Sequence, residues 1–120
     1  MKKQPLYKSF GHAFQGIFAT VRKERNIKIH LTVMALVIIA GALLGLSVTE
    51  WCICTLLFGL VISLELVNTA VEAAVDLATD KWHPLAKLAK DAAAGAVLVS
   101  AMAAAVIGLI IFIPKLAALF

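Results

Sequence analysis

The sequence predicts an all-α integral membrane protein, with an N-terminal amphipathic helix on the membrane surface followed by three transmembrane helices. Apolar residues make up 62% of the 120 residues and the mean hydropathy is +0.99, whereas soluble proteins contain about 45–50% apolar residues. A chain this short cannot bury so much apolar surface in a core of its own. Three long apolar stretches also each exceed the roughly 20 residues that a helix needs to cross the hydrocarbon. We therefore expect residues 1–120 to form a single membrane domain.

The N-terminal segment, about residues 5–25, carries apolar side chains at helical spacing. They are Leu6, Phe10, Phe14, Ile17, Phe18 and Val21. Polar residues such as Lys8 and Arg22 lie mostly off this stripe. A helix with this pattern lies in the membrane interface, with its apolar face at the boundary of the acyl chains.

Three candidate spans follow this segment. They are residues 29–49, 51–79 and 92–113. The first is uncharged, and before its last residue, Thr49, its only clearly polar residues are His30, Thr32 and Ser47. The third is uncharged, rich in alanine and glycine, and closed by Pro114. Small side chains let membrane helices approach closely, so the third span is expected to serve packing within an oligomer.

The basic residues are distributed asymmetrically around these spans. Of the eleven Lys and Arg residues, all except Lys115 lie before the first span or in residues 80–91, the predicted loop between the second and third spans. Short loops rich in Lys and Arg face the cytoplasm. The N-terminus and residues 80–91 are therefore expected on the cytosolic side, and the C-terminus on the outer side.

A polar stripe marks the second half of the second span. At about 100° per residue, Glu65, Asn68, Glu72 and Asp76 fall within an arc of roughly 80° on a helix. The stretch before them, residues 51–64, is uncharged, which disfavours the alternative of a solvated face on a soluble helix. Carboxylates in a membrane helix usually face the bundle interior or a polar cavity. This stripe is the candidate active site.

Two further clusters border the predicted inner end of this stripe. Residues 79–91 combine carboxylates with lysines and include the adjacent pair Lys90-Asp91. Basic loops beside a membrane more often attract lipid headgroups, but lysines and carboxylates together suit a phosphate bound through Mg²⁺. Glu24 alone would be a surface carboxylate paired with Lys28 at i+4; beside Glu72 it becomes a possible second metal ligand.

No glycine-rich phosphate loop or kinase catalytic motif is present in the sequence, so phosphoryl transfer would need an unrelated set of residues. The pattern E-x-x-N-x-x-x-E-x-x-x-D from Glu65 to Asp76, followed by Lys90-Asp91 and residues 94–97, resembles the signature of the bacterial diacylglycerol kinase family. Residues 24–26 and 80–87 resemble its Gram-positive branch, whose members are undecaprenol kinases.

This resemblance implies a homotrimeric lipid kinase in the bacterial cell membrane, with ATP as phosphoryl donor and Mg²⁺ as cofactor. Glu65 matches the proposed general base, which accepts the proton of the lipid hydroxyl. Glu24 and Glu72 match the Mg²⁺ ligands. His12 stands where proteobacterial relatives have a tyrosine against the nucleotide. The residues expected to bind Mg·ATP are His12, Glu24, Asn68, Glu72, Asp76, Lys81, Trp82, His83, Lys90 and Asp91.

The favoured function is phosphorylation of undecaprenol to undecaprenyl phosphate at the cytosolic interface. Diacylglycerol is the alternative acceptor. An alternative from another class is a small oligomeric proton-coupled carrier that uses Glu65 as its proton site, since intramembrane carboxylates also mark proton relays. That alternative leaves Glu24, Lys90 and Asp91 without a task.

Overall fold

The computed structural model describes residues 3–120, and this part of the chain is built from helices joined by short connections. The helices are α1 (Leu6–Lys23), α2 (Arg25–Leu44), α3 (Val48–Ala78) and α4 (Pro84–Ala117). The last three are long and apolar enough to cross a membrane. The prediction of an all-α fold with three spans is confirmed. Lys2, which the sequence predicts on the cytosolic side, lies outside the described residues.

Helix α1 exposes the apolar face that the sequence predicts. The exposed fractions of Phe10, Phe14 and Phe18 are 58%, 57% and 67%, while Thr20 is buried and donates from Oγ1 to the carbonyl of Gly16 on its own helix at 2.8 Å. An exposed row of phenylalanines is unfavourable in water but suits the boundary between headgroups and acyl chains.

The connection between α2 and α3 is tighter than expected. The first span was predicted to reach residue 49, but α2 ends at Leu44 because Gly45 adopts φ 79°, the left-handed conformation that commonly terminates helices. Helix α3 then begins with a capping box, in which Ser47 and Glu50 each accept a hydrogen bond from the other's backbone N–H. The predicted boundary at residue 49 is therefore wrong.

Two boundaries of α4 also differ from the predictions. Residues 84–91 were expected to belong to a cytosolic loop, but they are helical, and the connection is reduced to residues 79–83. His83 caps the helix by accepting from the N–H of Leu85 at 3.1 Å, and Pro84 occupies its first turn, where a missing N–H is not costly. At the other end, α4 continues past Pro114 to Ala117, so this proline does not close the helix.

Packing within the described chain is most extensive between α3 and α4. Buried Val61 on α3 and Val97 and Ile111 on α4 belong to this small core. Near the α2–α3 turn, Gly41 allows close approach, since a Cβ there would lie 2.7 Å from Leu46 Cδ1 and 2.8 Å from Trp51 Cη2. At the same end, Lys115 Nζ lies 3.0 Å from Glu50 Oε1 and ties α4 to the start of α3.

Most of the apolar surface remains uncovered in a single chain. Only 11%, 17% and 17% of the residues are buried in the most apolar windows of α2, α3 and α4. Lipid tails or neighbouring subunits must cover the remainder, because exposing that much apolar surface to water is strongly unfavourable. The protein is therefore a multi-pass membrane protein.

Candidate active site

Glu65 is the most deeply buried charged residue of the stripe on α3. Only 2% of it is exposed, and its Oε1 lies 3.1 Å from Nε2 of His30 on α2. This distance is within the range of an ion pair, but Oε1 has no partner in residues 3–120 whose orientation satisfies a hydrogen bond. A buried carboxylate with a single imidazole neighbour has the chemical character of a proton acceptor.

The next turns of α3 carry the other members of the stripe. Asn68 is buried and donates from Nδ2 to Oε1 of the half-buried Glu72 at 3.2 Å. The amide oxygen of Asn68 and the hydroxyl of Thr69 are buried without a hydrogen-bond partner in the described chain. Buried polar atoms without partners are costly, so this segment is poised to bind a polar ligand.

Glu24 lies at the break between α1 and α2. Its backbone is extended, with φ −95° and ψ 124°, and this conformation ends one helix and begins the next. The pair between Glu24 and Lys28 considered above does not form. Across residues 3–120, no cation of the protein lies within ion-pair distance of Glu24 or Glu72.

A polar cavity of about 650 Å³ lies where α3, the short connection and α4 meet. It is lined by Val75, Asp76, Thr79, Asp80, Lys81, Trp82, His83, Ala86, Lys87, Lys90 and Asp91. Lys90 Nζ bridges to Asp76 Oδ1 at 2.6 Å, which joins α4 to α3, whereas Lys87 pairs with Asp91 on its own helix. Three lysines, an indole and an imidazole around one cavity can bind phosphates and an aromatic base.

The predicted site residues fall into two groups in one chain. Six of them line the polar cavity, namely Asp76, Lys81, Trp82, His83, Lys90 and Asp91. Glu65, Asn68 and Glu72 follow one another along α3, and Glu24 lies at the break between α1 and α2. His12 joins neither group: it lies exposed on α1, with Nδ1 3.3 Å from Gln15 Oε1.

The carboxylates of the site can be compared with the ligands that Mg²⁺, the cofactor implied by the resemblance, requires. No three His, Cys, Asp or Glu side chains converge as a complete metal site in residues 3–120. Mg²⁺ does not require such a cage, because it usually keeps several waters and binds one or two carboxylates together with substrate phosphates. Glu24 and Glu72 have no basic partner in the described chain, and carboxylates of this kind are chemically suitable ligands for Mg²⁺.

A second cavity, of about 350 Å³, lies within the apolar part of the bundle. It is surrounded by side chains of α2, α3 and α4, among them Val33, Phe58 and Ala104. His30, the residue that contacts Glu65, is the one charged or titratable side chain of its lining besides the thiol of Cys54. The sequence presents His30 only as one polar residue in an apolar span; a lone histidine among apolar residues is the signal that points to it.

Comparison with known proteins identifies the family of this chain. The family model described as "Prokaryotic diacylglycerol kinase" matches residues 11–112. The chain belongs to this family. The match includes α2 and α3 in full, most of α1 and α4, the acidic stripe of α3 and the residues that line the polar cavity.

The relatives of this chain are named as kinases of two kinds of lipid. The chain is 57% identical to the undecaprenol kinase of Bacillus subtilis (strain 168) over 111 residues, which cover 92% of this chain and 90% of that protein. It is 42% identical to a diacylglycerol kinase of Synechocystis over 95% of this chain and 66% of that protein. A diacylglycerol kinase of Helicobacter pylori (strain J99) is 30% identical over 78% of this chain and 73% of that protein.

Membership in the prokaryotic diacylglycerol kinase family makes this chain a lipid kinase. The prediction of an enzyme that phosphorylates a lipid hydroxyl is confirmed, and its phosphoryl donor is a nucleotide. The alternative of a proton-coupled carrier finds no support among these relatives.

Proposed function

We propose that this enzyme transfers the γ-phosphoryl group of ATP to the hydroxyl of undecaprenol and releases ADP and undecaprenyl phosphate. The identity of 57% with an undecaprenol kinase over 92% of the chain is the observation that carries this choice of acceptor. The diacylglycerol kinases that match are 42% and 30% identical. Diacylglycerol remains the alternative acceptor.

The two cavities support a division of the substrates. The polar cavity, with Lys81, Lys90 and Trp82 in its lining, has the charge and aromatic surface that a nucleotide needs. The apolar cavity meets the buried Glu65 through His30. A long isoprenoid chain suits an apolar cavity inside the membrane, with its terminal hydroxyl placed at Glu65.

In this proposal Glu65 is the general base. Its carboxylate accepts the proton of the lipid hydroxyl, the hydroxyl oxygen forms a bond to the γ-phosphorus, and the bond between that phosphorus and the β–γ bridging oxygen breaks. The electron pair of that bond leaves with ADP. Phosphoryl transfer depends mainly on positioning and on stabilising charge, and proton acceptance by a well-placed base contributes about 10²–10⁴-fold.

Glu24 and Glu72 would hold Mg²⁺ together with the phosphates of the nucleotide, and the metal would neutralise their negative charge when bound. Asn68 supports this role, because its amide donates to Glu72 and so fixes the orientation of that carboxylate. Asp76, Lys81, Trp82, His83, Lys90 and Asp91 are proposed to contact the nucleotide. His12 is proposed to reach it from α1 of the assembled enzyme.

The proposed assembly is a homotrimer in the bacterial cell membrane, with the N-terminus cytoplasmic and the C-terminus outside. The single chain supports an oligomer in two respects. Its spans are mostly unburied, and His12 on α1 is not among the residues that line the polar cavity. A site assembled between subunits could bring these separated groups together.

The test of function is a direct assay of the purified enzyme with γ-labelled ATP and Mg²⁺ in mixed micelles. Undecaprenol and diacylglycerol are supplied separately at matched mole fractions, and the labelled lipid is separated by thin-layer chromatography. We expect a higher kcat/KM for undecaprenol. A higher kcat/KM for diacylglycerol would establish the alternative acceptor, and labelling of neither lipid would refute the proposal.

A further inference from the structure

We propose that His30 is a positioning residue, which holds the carboxylate of Glu65 at the point where the lipid hydroxyl arrives from the apolar cavity. This inference rests on the proposed role of Glu65 as general base. The inference gives α2 a part in the reaction. The sequence alone places the reaction at Glu24, on α3 and in the connection that follows α3.

The first argument is the contact itself. His30 Nε2 lies 3.1 Å from Glu65 Oε1, and no other side chain of residues 3–120 makes a hydrogen bond or ion pair to that oxygen. With its hydrogen on Nε2, the imidazole can donate to Oε1 and leave Oε2 to accept the proton of the lipid hydroxyl. The orientation in the free chain is not that of a formed hydrogen bond; such bonds commonly tighten only when substrate is bound.

The second argument is the free-energy cost of placing His30 in a membrane helix. His30 lies near the start of the apolar stretch of α2, in which Thr32 is the only other clearly polar residue. Polar and ionisable residues in membrane helices are expensive and usually serve a partner inside the bundle. The carboxylate that His30 contacts is itself 2% exposed, so the two ionisable side chains lie beside each other inside the bundle.

The third argument is the location of the imidazole between two environments. The side chain of His30 is 24% exposed, and it lines the apolar cavity of about 350 Å³, whereas Glu65 does not. A lipid that enters the cavity therefore meets His30 first and reaches Glu65 beside it. An imidazole at this boundary fixes the base without closing the path of the hydroxyl.

The experiment compares two substitutions at the same position with a neighbouring control. His30→Leu keeps most of the volume but cannot donate a hydrogen bond, and His30→Gln retains an N–H donor at a similar reach. Thr32→Val is the control, since the Thr32 hydroxyl donates to the Lys28 carbonyl of its own helix at 2.8 Å. For each purified variant, kcat with saturating undecaprenol and diacylglycerol, and the Kd for Mg·ATP, are measured in the same micelles.

We expect His30→Leu to lower kcat by about 100-fold, the size of loss that a misplacement of about 1 Å causes. His30→Gln should recover about tenfold or more of that loss, with the Kd for Mg·ATP and the activity of Thr32→Val within about threefold of wild type. A purely packing role would give the opposite order, because Leu suits an apolar site better than Gln does.

The results separate this inference from the proposed function. Equal kcat values for His30→Leu and His30→Gln, or a kcat of His30→Leu within about threefold of wild type, would overturn the positioning role while the lipid kinase assignment stands. The positioning role would also be overturned if His30→Leu raised the Kd for Mg·ATP by the same factor by which it lowered kcat. Failure of the wild-type enzyme to phosphorylate undecaprenol would instead count against the proposed acceptor. The kcat values of the His30 variants are then compared with diacylglycerol as the acceptor.

Discussion

The carboxylates of α3 differ in burial along a single helix face. Glu65 is 2% exposed, Glu72 is half-buried, and the side chain of Asp76 is 67% exposed. Seven residues separate Glu65 from Glu72, which corresponds to about 10 Å along a helix. A lipid hydroxyl can approach the buried carboxylate, and a hydrated Mg²⁺ can approach the more exposed one. We infer different roles for chemically identical side chains from this difference in environment.

The first prediction separates Glu65 from Glu72 by substitution with glutamine. Glu65→Gln should leave Mg·ATP binding close to that of wild type and lower phosphoryl transfer by about 10²–10⁴-fold, because only the proton acceptor is lost. Glu72→Gln should weaken Mg·ATP binding and raise the magnesium concentration needed for half-maximal activity. Calorimetry of Mg·ATP binding, read beside the rates of lipid phosphorylation, provides the measurement.

These two variants act as controls for each other, since both replace a carboxylate by an amide of the same size on the same helix. The assignment of roles would be wrong if Glu65→Gln lost nucleotide binding while Glu72→Gln retained it.

At the scale of helices, the short connection between α3 and α4 determines the shape of the polar cavity. Because α4 starts at Pro84, Lys87, Lys90 and Asp91 lie on successive turns of a helix rather than in a flexible loop. Lys90 then reaches Asp76 on α3, with Nζ 2.6 Å from Oδ1. Both side chains are well exposed, and exposed pairs contribute only about 0–1 kcal/mol. The pair therefore has more effect on the position of Lys90 than on stability.

The second prediction concerns this lysine. Lys90→Met should raise the KM for ATP by about tenfold, the effect of losing one charge-assisted contact to phosphate, and should shift the unfolding temperature in detergent only slightly. Lys87→Met is the matched control, since Lys87 lines the same cavity but pairs with Asp91 on its own helix. Steady-state kinetics with varied ATP and a thermal melt of each variant provide the measurements.

We expect the KM for ATP of Lys87→Met to rise less than that of Lys90→Met. An equal or larger increase for Lys87→Met, or a marked loss of thermal stability for Lys90→Met alone, would contradict the role given to the Asp76–Lys90 pair.

At the scale of the whole molecule, the charge distribution determines the expected orientation in the membrane. The third prediction places a cysteine at Lys87 and another at Leu119 in a chain whose Cys52 and Cys54 are replaced by alanine. With the polar cavity in the cytosol, Lys87→Cys should react with an impermeant thiol reagent only after the inner face is made accessible. Leu119→Cys should react in intact cells. Reaction of both cysteines from the same side would exclude an odd number of spans.

The fourth prediction concerns assembly. The active enzyme in detergent should have a protein mass of three times the 12.8 kDa subunit, the assembly that the family resemblance implies. The spans of one chain leave most of their apolar surface uncovered, and membrane helices associate through small faces such as that of α4. Light scattering with detergent correction, performed on the fractions assayed for activity, provides the measurement. A fully active monomer would refute the proposed trimer.

The sequence by itself determined the class of the protein and the residues of the stripe. Three spans were predicted from the composition and from the lengths of the apolar segments. The polar face on the second span was predicted from the spacing of Glu65, Asn68, Glu72 and Asp76. All of these are local properties of the sequence. The local signals for the boundaries were also present, in Gly45 at the end of α2 and in the capping residues before α3 and α4. The predicted boundaries missed them because hydropathy marks hydrocarbon-spanning residues, whereas helices end at caps.

Only the tertiary structure decided which groups meet. Two contacts join residues of different helices: His30 contacts Glu65, and Lys90 bridges to Asp76. The polar cavity and the apolar cavity are likewise each lined by residues of more than one helix. Such contacts depend on how each helix is rotated about its axis and where it crosses its neighbours. Periodicity within one segment predicts which residues share a face, but it does not determine which side chain of the next helix that face will contact.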